Sequence, residues 1–267
     1  MKTDFYARNE RYAANLRAAD PRTHQSLPTL SGEKPFHQKY ADALAHGLPA
    51  GAPVLDVGCG AGQVVRMLAE RGYEAHGVEV SEAAIELARA QPGRYQLYDG
   101  RTLPLADASM RAVGAFNVLE HVEEPVRFLD ELARVLRPGG RMVVSSPNFL
   151  RVAGWRDYHP HMRGWGQKWR NLGTLRRHRR CYRQDETALV FEPLTPIFRE
   201  PMEPDDDATV ATNLLDLVRF FELRGFGEIR GSCVDRPVPR AVEWVLDATP
   251  LRYGILNAFV TATKPAA

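Results

Sequence analysis

The chain has 267 residues, of which 44% are hydrophobic and 25% are charged, and its formal net charge is +2. These proportions are ordinary for a soluble globular protein with one large domain, or with one domain and an added subdomain. No apolar run reaches the roughly 18 residues of a membrane span, and the charged N-terminus lacks the apolar segment of a signal peptide. The cysteines are too few and too scattered for a disulfide framework, so we expect a cytoplasmic protein.

Strand and helix patterns alternate along the first half of the chain. The first 34 residues look helical and then loop-like, and a short amphipathic helix follows near 36–48. Helical spacing predicts further helices at 64–71, at 82–90 after the N-cap Ser81, and at 126–136, which Pro138-Gly139-Gly140 ends. Apolar runs predict strands at 54–57, 75–80, 95–98, 110–116 and 141–145. Such alternation is typical of βαβ units around a parallel sheet.

The alternation breaks between 147 and 207, in a stretch that is rich in Arg, Trp, Pro and His and has no clear period. A helix at 214–223, closed by Arg224-Gly225-Phe226, and strands at 228–234 and 255–263 resume it. We therefore divide the chain into an N-terminal helical or lid segment (1–34), a Rossmann-like core (35–150), an inserted cap (151–209) and a C-terminal part that completes the core sheet (210–267).

The stretch VLDVGCGAGQ, residues 54–63, places Gly58, Gly60 and Gly62 directly after the first predicted strand. A phosphate-binding P-loop ends in Gly-Lys-Ser or Gly-Lys-Thr, and no such residues follow here. A dinucleotide-binding fingerprint has its last two glycines three residues apart, whereas these are two apart. The loop is therefore predicted to hold another nucleotide-like ligand, at the carboxyl edge of the sheet.

Acids stand at the ends of the first three predicted strands. Asp56 is suited to an ammonium group, Glu79 to two ribose hydroxyls, and Asp99 to the exocyclic amine of an adenine. A pyrophosphate would be repelled by the additional acid. The set suits a ligand with ribose, adenine and an ammonium but without phosphate, and S-adenosylmethionine is such a ligand.

These segments resemble the class I S-adenosylmethionine-dependent methyltransferases, and among them the ubiquinone-biosynthesis O-methyltransferases. Further matching segments are GVEVSEAAIELAR, YDGRTLPLADASMRAV, NVLEHVEEPVRFLDELARVLRPGGRMVVSSPN and FFELRGFGEI, so the resemblance covers roughly 40–150 and 210–264. It implies a doubly wound α/β fold whose seven-stranded sheet is mostly parallel with an antiparallel last strand. It also implies S-adenosylmethionine as the cofactor, bound by Asp56, Gly58, Cys59, Gly60, Gly62, Glu79, Val80, Asp99, Gly100 and Asn117.

In the implied site the glycine loop meets the methionine and ribose, and Val80 and the Gly100 N–H meet the adenine. Asn117 lines the pocket near the sulfonium. Structural explanations remain beside these roles. The glycines suit any tight turn, Glu79 suits a solvated strand end, Asp99 belongs to a turn-prone Asp-Gly pair, and Cys59 suits a packing role.

The segment after the fourth strand carries the candidate chemistry. Methyl transfer from a sulfonium is a direct displacement, and a base helps when the acceptor is a hydroxyl, phenol or amine. His121 is the candidate base; alternatively it is a pocket-wall histidine. The segment also resembles small-RNA 3′-end methyltransferases, whose metal-using members bind a cation with a Glu-x-x-Glu-His array and a later histidine. Here Asn117 replaces the first Glu, although Glu120, His121 and the later His159 and His161 are present. Glu120, His121 and a distant histidine could form a weak Mg²⁺ or Zn²⁺ site, but the missing carboxylate argues against it. We therefore expect no metal requirement and little effect of a chelator.

Residues 163–183 contain eight Lys or Arg and no acid, so the rest of the chain is net negative. We predict that this segment caps an anionic small-molecule acceptor, since guanidinium groups suit carboxylates and phosphates. Basic and aromatic residues together also suit RNA, and a solvated surface or a dimer contact is the plain alternative. The candidate substrate-binding residues are Trp155, Trp165, Trp169, Arg176 and Arg177, with Phe5, Tyr6 and Tyr12 closing the pocket from the other side.

Together these patterns predict an enzyme that methylates a small molecule, with oxygen favoured over nitrogen and carbon as the acceptor atom. An RNA-modifying enzyme and a non-catalytic S-adenosylmethionine-binding protein are the alternatives. No membrane partner is expected, and the sequence leaves the acceptor and the oligomeric state open.

Overall fold

The computed structural model describes residues 35–154, 157–197 and 203–266. The described chain folds into two compact units. The first contains the described residues up to Phe116, together with Arg127–Val143 and the chain from Thr263, and the second contains Asn117–Val126 and Val144–Ala262. The predicted segment 1–34, including Phe5, Tyr6 and Tyr12, and the predicted substrate residue Trp155 lie outside the described residues.

The strands form one seven-stranded mixed sheet in the order β3-β2-β1-β4-β5-β7-β6. Strand β1 pairs in parallel with both β2 and β4, and β2 pairs in parallel with β3. The predicted fold class is thereby confirmed. The strands are β1 (Pro53–Val57), β2 (Glu74–Glu79), β3 (Arg94–Leu97), β4 (Met110–Phe116), β5 (Leu136–Pro147), β6 (Gly227–Ser232) and β7 (Asn257–Thr263).

Strand β7 runs antiparallel to β5. At the start of β5, Gly139 N–H donates to Lys264 O, and Lys264 N–H donates to Gly140 O, just beyond the end of β7. Past the other end of β5, Asn148 Nδ2 donates to Tyr253 O, which precedes β7. The order of contacts is reversed along the two strands, as the resemblance implied for the last strand of the sheet.

Local signals fix the ends of several helices. Ser81 Oγ accepts the N–H of Ala84 and caps α3, and Asn213 Oδ1 accepts the N–H of Asp216 and caps α6. Most helices fall where the apolar spacing predicted them. The helices are α1 (Pro35–Ala45), α2 (Gln63–Glu70), α3 (Glu82–Ala88), α4 (Pro125–Val135), α5 (Trp165–Gln184), α6 (Leu214–Leu223) and α7 (Arg240–Asp247), with short 3₁₀ turns at Leu119–His121, Pro160–Met162 and Pro250–Gly254.

The structure contains elements that the sequence patterns do not show. The stretch 147–207 has no apolar period, yet it contains the 20-residue helix α5. Its buried residues are Asn171, Leu175 and His178, so two of the three are polar and the buried stripe gives no hydrophobic signal. The Pro138-Gly139-Gly140 run does not separate α4 from β5, because β5 already begins at Leu136. Helix α7 was also not predicted.

Within the described parts of the chain, no helix is long and apolar enough to cross a membrane. The three cysteines, Cys59, Cys181 and Cys233, are free thiols.

Candidate functional site

The glycine loop between β1 and α2 is held in a conformation that requires glycine. Gly58, Gly60 and Gly62 have φ angles of 74°, 53° and 84°, which lie in the left-handed region. The N–H groups of Gly58 and Cys59 both donate to Val78 O, at 2.8 and 3.1 Å, and so fix the start of the loop to β2. A Cβ on Gly60 would meet nothing within 4 Å, so space lies beside the middle of the loop.

Glu79, the last residue of β2, connects the loop to the start of α3. Its carboxylate is buried and accepts three backbone N–H groups: Gly60 on Oε2 at 3.1 Å, and Val80 and Ser81 on Oε1 at 2.7 and 3.1 Å. Burial raises the pKa of Glu79, and the three backbone hydrogen bonds oppose that rise. The predicted ribose-binding acid is therefore not a solvated strand end, because it is a buried acceptor beside the loop.

Asp56 lies in β1 and is almost completely buried. Its Oδ1 accepts a hydrogen bond of 2.9 Å from the Tyr40 hydroxyl of α1. Burial raises the pKa of Asp56 to about 7, with the Glu79 charge adding to the rise and the Tyr40 hydrogen bond opposing it. A cation beside this carboxylate would restore its charge, which is the property expected of an ammonium-binding group.

Cys59 has the packing role that the sequence left open. A Cβ built on Gly77 would lie 2.7 Å from the Cys59 sulfur, so the thiol fills the space that this glycine leaves in β2. Burial raises the pKa of the Cys59 thiol well above its usual value. A buried neutral thiol is unsuited to nucleophilic chemistry, although the backbone of Cys59 still shapes the loop.

Asp99 forms a turn at the end of β3. Its Oδ1 accepts the N–H groups of Arg101 and Thr102 at 2.8 and 2.9 Å, and these bonds lower the pKa of its carboxyl group. Gly100, with a φ of 75°, supplies the left-handed residue of the same turn. The structural explanation of the Asp-Gly pair therefore holds, and the adenine role of Asp99 and Gly100 stays a prediction. Val80, which follows Glu79, is half-buried.

The predicted Asn117 follows β4 directly and belongs to the second unit. It is exposed, its φ is 53°, and its N–H donates to Ser145 O at 2.9 Å. Asn tolerates the left-handed region better than most residues, which explains this residue type at a strand end.

Glu120 and His121 occupy a 3₁₀ turn that follows β4. Glu120 is fully buried, and its Oε2 accepts a 2.8 Å hydrogen bond from Ser146 Oγ. The Nδ1 of His121 lies 3.2 Å from Asp207 Oδ2, and its Nε2 lies 3.8 Å from both Glu120 Oε1 and Asp205 Oδ1. The candidate base is thus surrounded by three acids. Two of them, Asp205 and Asp207, were not among the residues that the sequence suggested.

Among the described residues, the group whose atoms lie close enough to hold one ion is Glu120, His121 and Asp205, without the later histidines. His159 is buried with its ring edge-on to Phe149 at 5.1 Å, and it stacks on His161 at 5.4 Å. Burial lowers the pKa of His161, and Arg170 adds to that effect. The acid run at 205–207 is the sequence signal for Asp205 and Asp207, but it lies in a stretch without a recognisable pattern.

The basic segment is mostly the helix α5. Some of its cations bind acids from neighbouring segments: Lys168 Nζ lies 2.7 Å from Asp157 Oδ2, and Arg177 pairs with Glu192. Arg179 lies over the Tyr253 ring at 4.8 Å. Arg176 and Arg180 are exposed. Part of the predicted cationic surface is therefore used inside the second unit, and part faces outward.

Helix α5 also contains a buried ion-pair network. The Nδ1 of His178 lies 3.0 Å from both carboxylate oxygens of Asp216, and its Nε2 lies 3.2 Å from Glu192 Oε1. Burial lowers the pKa of His178, but the hydrogen bonds to the two acids outweigh it and raise the pKa overall. By contrast, Trp165 and Trp169 at the start of the helix are 82% and 68% exposed.

Comparison with known proteins identifies the family. Residues 55–144 match the family described as a methyltransferase domain. A ubiquinone biosynthesis O-methyltransferase of Acinetobacter baumannii (strain ACICU) is 30% identical over 200 residues, which cover 64% of this chain and 81% of that protein. The chain belongs to the class I S-adenosylmethionine-dependent methyltransferases.

This methyltransferase is also 36% identical, over 138 residues, to a probable S-adenosylmethionine-dependent methyltransferase of Mycolicibacterium smegmatis. That match covers 50% of this chain and 53% of the relative, so the chain spans about half of the relative's length. Among solved structures, phosphoethanolamine N-methyltransferase 2 of Haemonchus contortus aligns with a TM-score of 0.62 at 14% identity, covering 99% of this chain and 61% of that one. That structure was solved with phosphomonomethylethanolamine and S-adenosylhomocysteine, and at this identity it supports the fold of the methyltransferase alone.

Proposed function

We propose that the protein transfers the methyl group of S-adenosylmethionine to an oxygen atom of a small molecule. The arrangement of Glu79 carries the proposal. A buried carboxylate stands at the end of β2, is fixed by three backbone N–H groups, and adjoins a glycine loop with space beside Gly60. The contacts that fix this carboxylate come from backbone N–H groups and not from a cation. It is suited to accept hydrogen bonds from the ribose hydroxyls of a nucleoside.

We assign the remaining cofactor contacts to the positions that the sequence predicts. The loop 58–62 would lie along the methionine and ribose, and Asp56 would bind the ammonium group. Val80, Asp99 and Gly100 would surround the adenine. The role of Asn117, which belongs to the second unit, stays a prediction from the sequence. Burial raises the pKa of Asp56 to about 7, and a bound ammonium would favour the ionised form of this carboxyl. The pKa therefore supports the assignment of Asp56.

The reaction is a displacement at the methyl carbon. The acceptor oxygen forms the new carbon–oxygen bond while the carbon–sulfur bond breaks. The electron pair of the carbon–sulfur bond stays on the sulfur, which gives S-adenosylhomocysteine. A hydroxyl acceptor must also lose its proton. An oxygen acceptor is favoured over nitrogen and carbon because the Acinetobacter baumannii relative is an O-methyltransferase, and it is similar over most of its own length.

We assign His121 to the acceptor side of the reaction. An imidazole in this place has two available roles, as the base that removes the acceptor proton or as the ligand of a cation that acidifies the hydroxyl. Glu120 Oε1 and Asp205 Oδ1 each lie 3.8 Å from its Nε2 and favour the ligand role. These oxygens stand where a substrate hydroxyl would have to approach the nitrogen.

The acceptor itself is proposed to be small and anionic. The exposed Arg176 of α5, with Trp165 and Trp169 near the start of the same helix, would contact it. Arg177 is a weaker candidate than the sequence suggested, since it pairs with Glu192. A cytoplasmic location completes the proposal, and the three free thiols support it.

The test uses methyl-labelled S-adenosylmethionine and a panel of phenols, vicinal diols and hydroxy acids. We expect a labelled methyl ether and an equal amount of S-adenosylhomocysteine with at least one acceptor, and loss of both products in Glu79→Ala. Tight binding of S-adenosylmethionine without methylation of any panel member or of cellular small-molecule extract would instead indicate a non-catalytic binding protein.

A further inference from the structure

Three side chains of the second unit each have one polar atom beside a polar neighbour, and in two of them a hydrogen bond fixes that atom. Glu120 Oε2 accepts a hydrogen bond from Ser146 Oγ, and Asp205 Oδ2 accepts one from the Tyr158 hydroxyl. His121 Nδ1 lies 3.2 Å from Asp207 Oδ2. Contacts of this kind orient the ligands of metal sites, where a carboxylate commonly holds the second nitrogen of a histidine ligand.

The other atom of each side chain faces a common point. Glu120 Oε1, His121 Nε2 and Asp205 Oδ1 all lie within 4.8 Å of one another. The nitrogen is 3.8 Å from each oxygen, which is too long for a hydrogen bond. An ion at about 2.0–2.4 Å from each atom requires ligands roughly 3–4 Å apart, so a small contraction would bring all three into coordination.

Glu120 gives an independent indication of a ligand. Its side chain is 0% exposed, and its Oε1 accepts no hydrogen bond from any residue that the structure describes. A buried oxygen in this state is costly, and native proteins rarely contain one without a partner such as an ion. A cation beside Glu120 Oε1 would supply a partner for this oxygen.

The backbone holds the two parts of this cluster together. The N–H groups of Thr209 and Val210 both donate to Glu120 O, at 2.7 and 3.1 Å. Asp205 has a φ of 61°, a left-handed conformation that is uncommon outside glycine and that concentrates at functional sites. The backbone hydrogen bonds therefore fix the turn that carries Glu120 and His121 to the segment that follows Asp205.

We propose that Glu120, His121 and Asp205 form a binding site for a divalent cation of the Mn²⁺ or Zn²⁺ type. One imidazole and two carboxylates suit these ions better than an all-oxygen site such as Ca²⁺ prefers. The site differs from the array that the resemblance suggested, because Asn117 stands in place of one carboxylate and Asp205 supplies the missing ligand. Three protein ligands leave positions for water or for an acceptor oxygen.

The consequence for catalysis rests on the proposed function. A hydroxyl bound to the cation loses its proton more readily than a free hydroxyl, since the ion stabilises the oxyanion. An acceptor that offers two neighbouring oxygens would use both open positions, so a vicinal diol or a hydroxy acid is the substrate class that fits the site.

The test measures cation binding on the full-length protein stripped with a chelator. Mn²⁺ is the probe, followed by electron paramagnetic resonance and calorimetry, with Zn²⁺ as competitor. We expect one ion per chain. Glu120→Gln and Asp205→Asn should weaken binding by more than about 100-fold, and Tyr158→Phe, which frees one oxygen of Asp205, by about 10- to 100-fold. Glu186→Gln, an exposed acid of the same unit, is the matched control and should bind as the wild type does.

Stability of the ion-free variants separates a cation site from a structural cluster. Glu120→Gln keeps an acceptor for Ser146 and removes one of the two buried carboxylates, so the stripped variant should melt at or above the wild-type temperature. It should no longer gain stability when Mn²⁺ is added. No Mn²⁺ binding by the wild type at millimolar concentration, or unchanged binding in both ligand variants, would overturn the inference. S-adenosylmethionine binding in chelator is measured in parallel, so that failure of the cation site is distinguished from failure of the proposed cofactor site.

Discussion

The proposed cofactor site makes a quantitative prediction at Glu79. A carboxylate has about four acceptor positions on its two oxygens, and backbone N–H groups already use three of them. A ribose offers two hydroxyls. One hydroxyl would take the remaining position on Oε2. The other would replace the Gly60 N–H, which donates to Oε2 from the loop at 3.1 Å. Cofactor binding therefore adds one charge-assisted hydrogen bond and exchanges another.

An added hydrogen bond to a charged group contributes about 1.5–3 kcal/mol, whereas the exchange is close to neutral. Glu79→Ala should therefore weaken S-adenosylmethionine binding by about 1.5–3 kcal/mol, or roughly 10- to 150-fold in Kd. Isothermal titration calorimetry with S-adenosylhomocysteine and S-adenosylmethionine measures the effect directly. Glu79→Gln, which keeps one acceptor oxygen, should lie between the wild type and the Ala variant.

Glu74 provides the matched control. It is an acid of the same strand, at the opposite end of β2, where it pairs with Arg94 near the surface. Glu74→Ala should leave the cofactor affinity within about 0.5 kcal/mol of the wild type, as surface substitutions usually do. Unchanged affinity in a folded Glu79→Ala protein, or an equal loss in both variants, would refute the reasoning.

Three further predictions concern pH and the basic helix. Because an ammonium binds the ionised form of Asp56, whose pKa is about 7, cofactor affinity should fall as the pH drops below 7 and become insensitive to pH in Asp56→Asn; a flat wild-type titration would contradict this. The raised folded-state pKa of His178 gives stability that is fully present below its unfolded value of about 6.5 and is lost as the pH rises through the folded pKa. Urea unfolding should show this decrease of the unfolding free energy with pH in the wild type. His178→Gln should lose the pH dependence together with about 3 kcal/mol of unfolding free energy. A pH dependence that remains in the variant would exclude His178 as its source. Replacing four arginines of α5 by Gln should raise the KM for the acceptor and leave the cofactor affinity unchanged. For a small anionic acceptor, one or two of the arginines should account for most of the rise in KM, whereas equal contributions and a salt dependence of binding reduced by about one per charge removed would indicate RNA. Wild-type acceptor kinetics would show that the arginines form a solvated surface. These four are Arg176, Arg177, Arg179 and Arg180.

The sheet and the glycine loop were predictable because local sequence determines them. Strand β4 has the predicted limits of Met110–Phe116, and α6 has the predicted limits of Leu214–Leu223, since both have clear apolar patterns and definite ends. The conformation of Gly60 follows from the loop, and the place of Glu79 follows from the strand that precedes it. Such features require no information from distant parts of the chain.

The cation cluster and α5 could not be predicted in the same way. Asp205 reaches Glu120 and His121 through backbone bonds from Thr209 and Val210, and a linear sequence does not show such bonds. Helix α5 buries Asn171 and His178 at positions that are apolar in an amphipathic helix. Polar burial becomes favourable through partners elsewhere in the chain, so it leaves no local pattern.

The most direct test of the account is a crystal structure of the protein with S-adenosylhomocysteine. We predict that the ribose hydroxyls lie within hydrogen-bond distance of Glu79 and that the amino-acid part lies along the loop 58–62 with its ammonium near Asp56. A fully occupied S-adenosylhomocysteine that contacts neither Glu79 nor the glycine loop would contradict it.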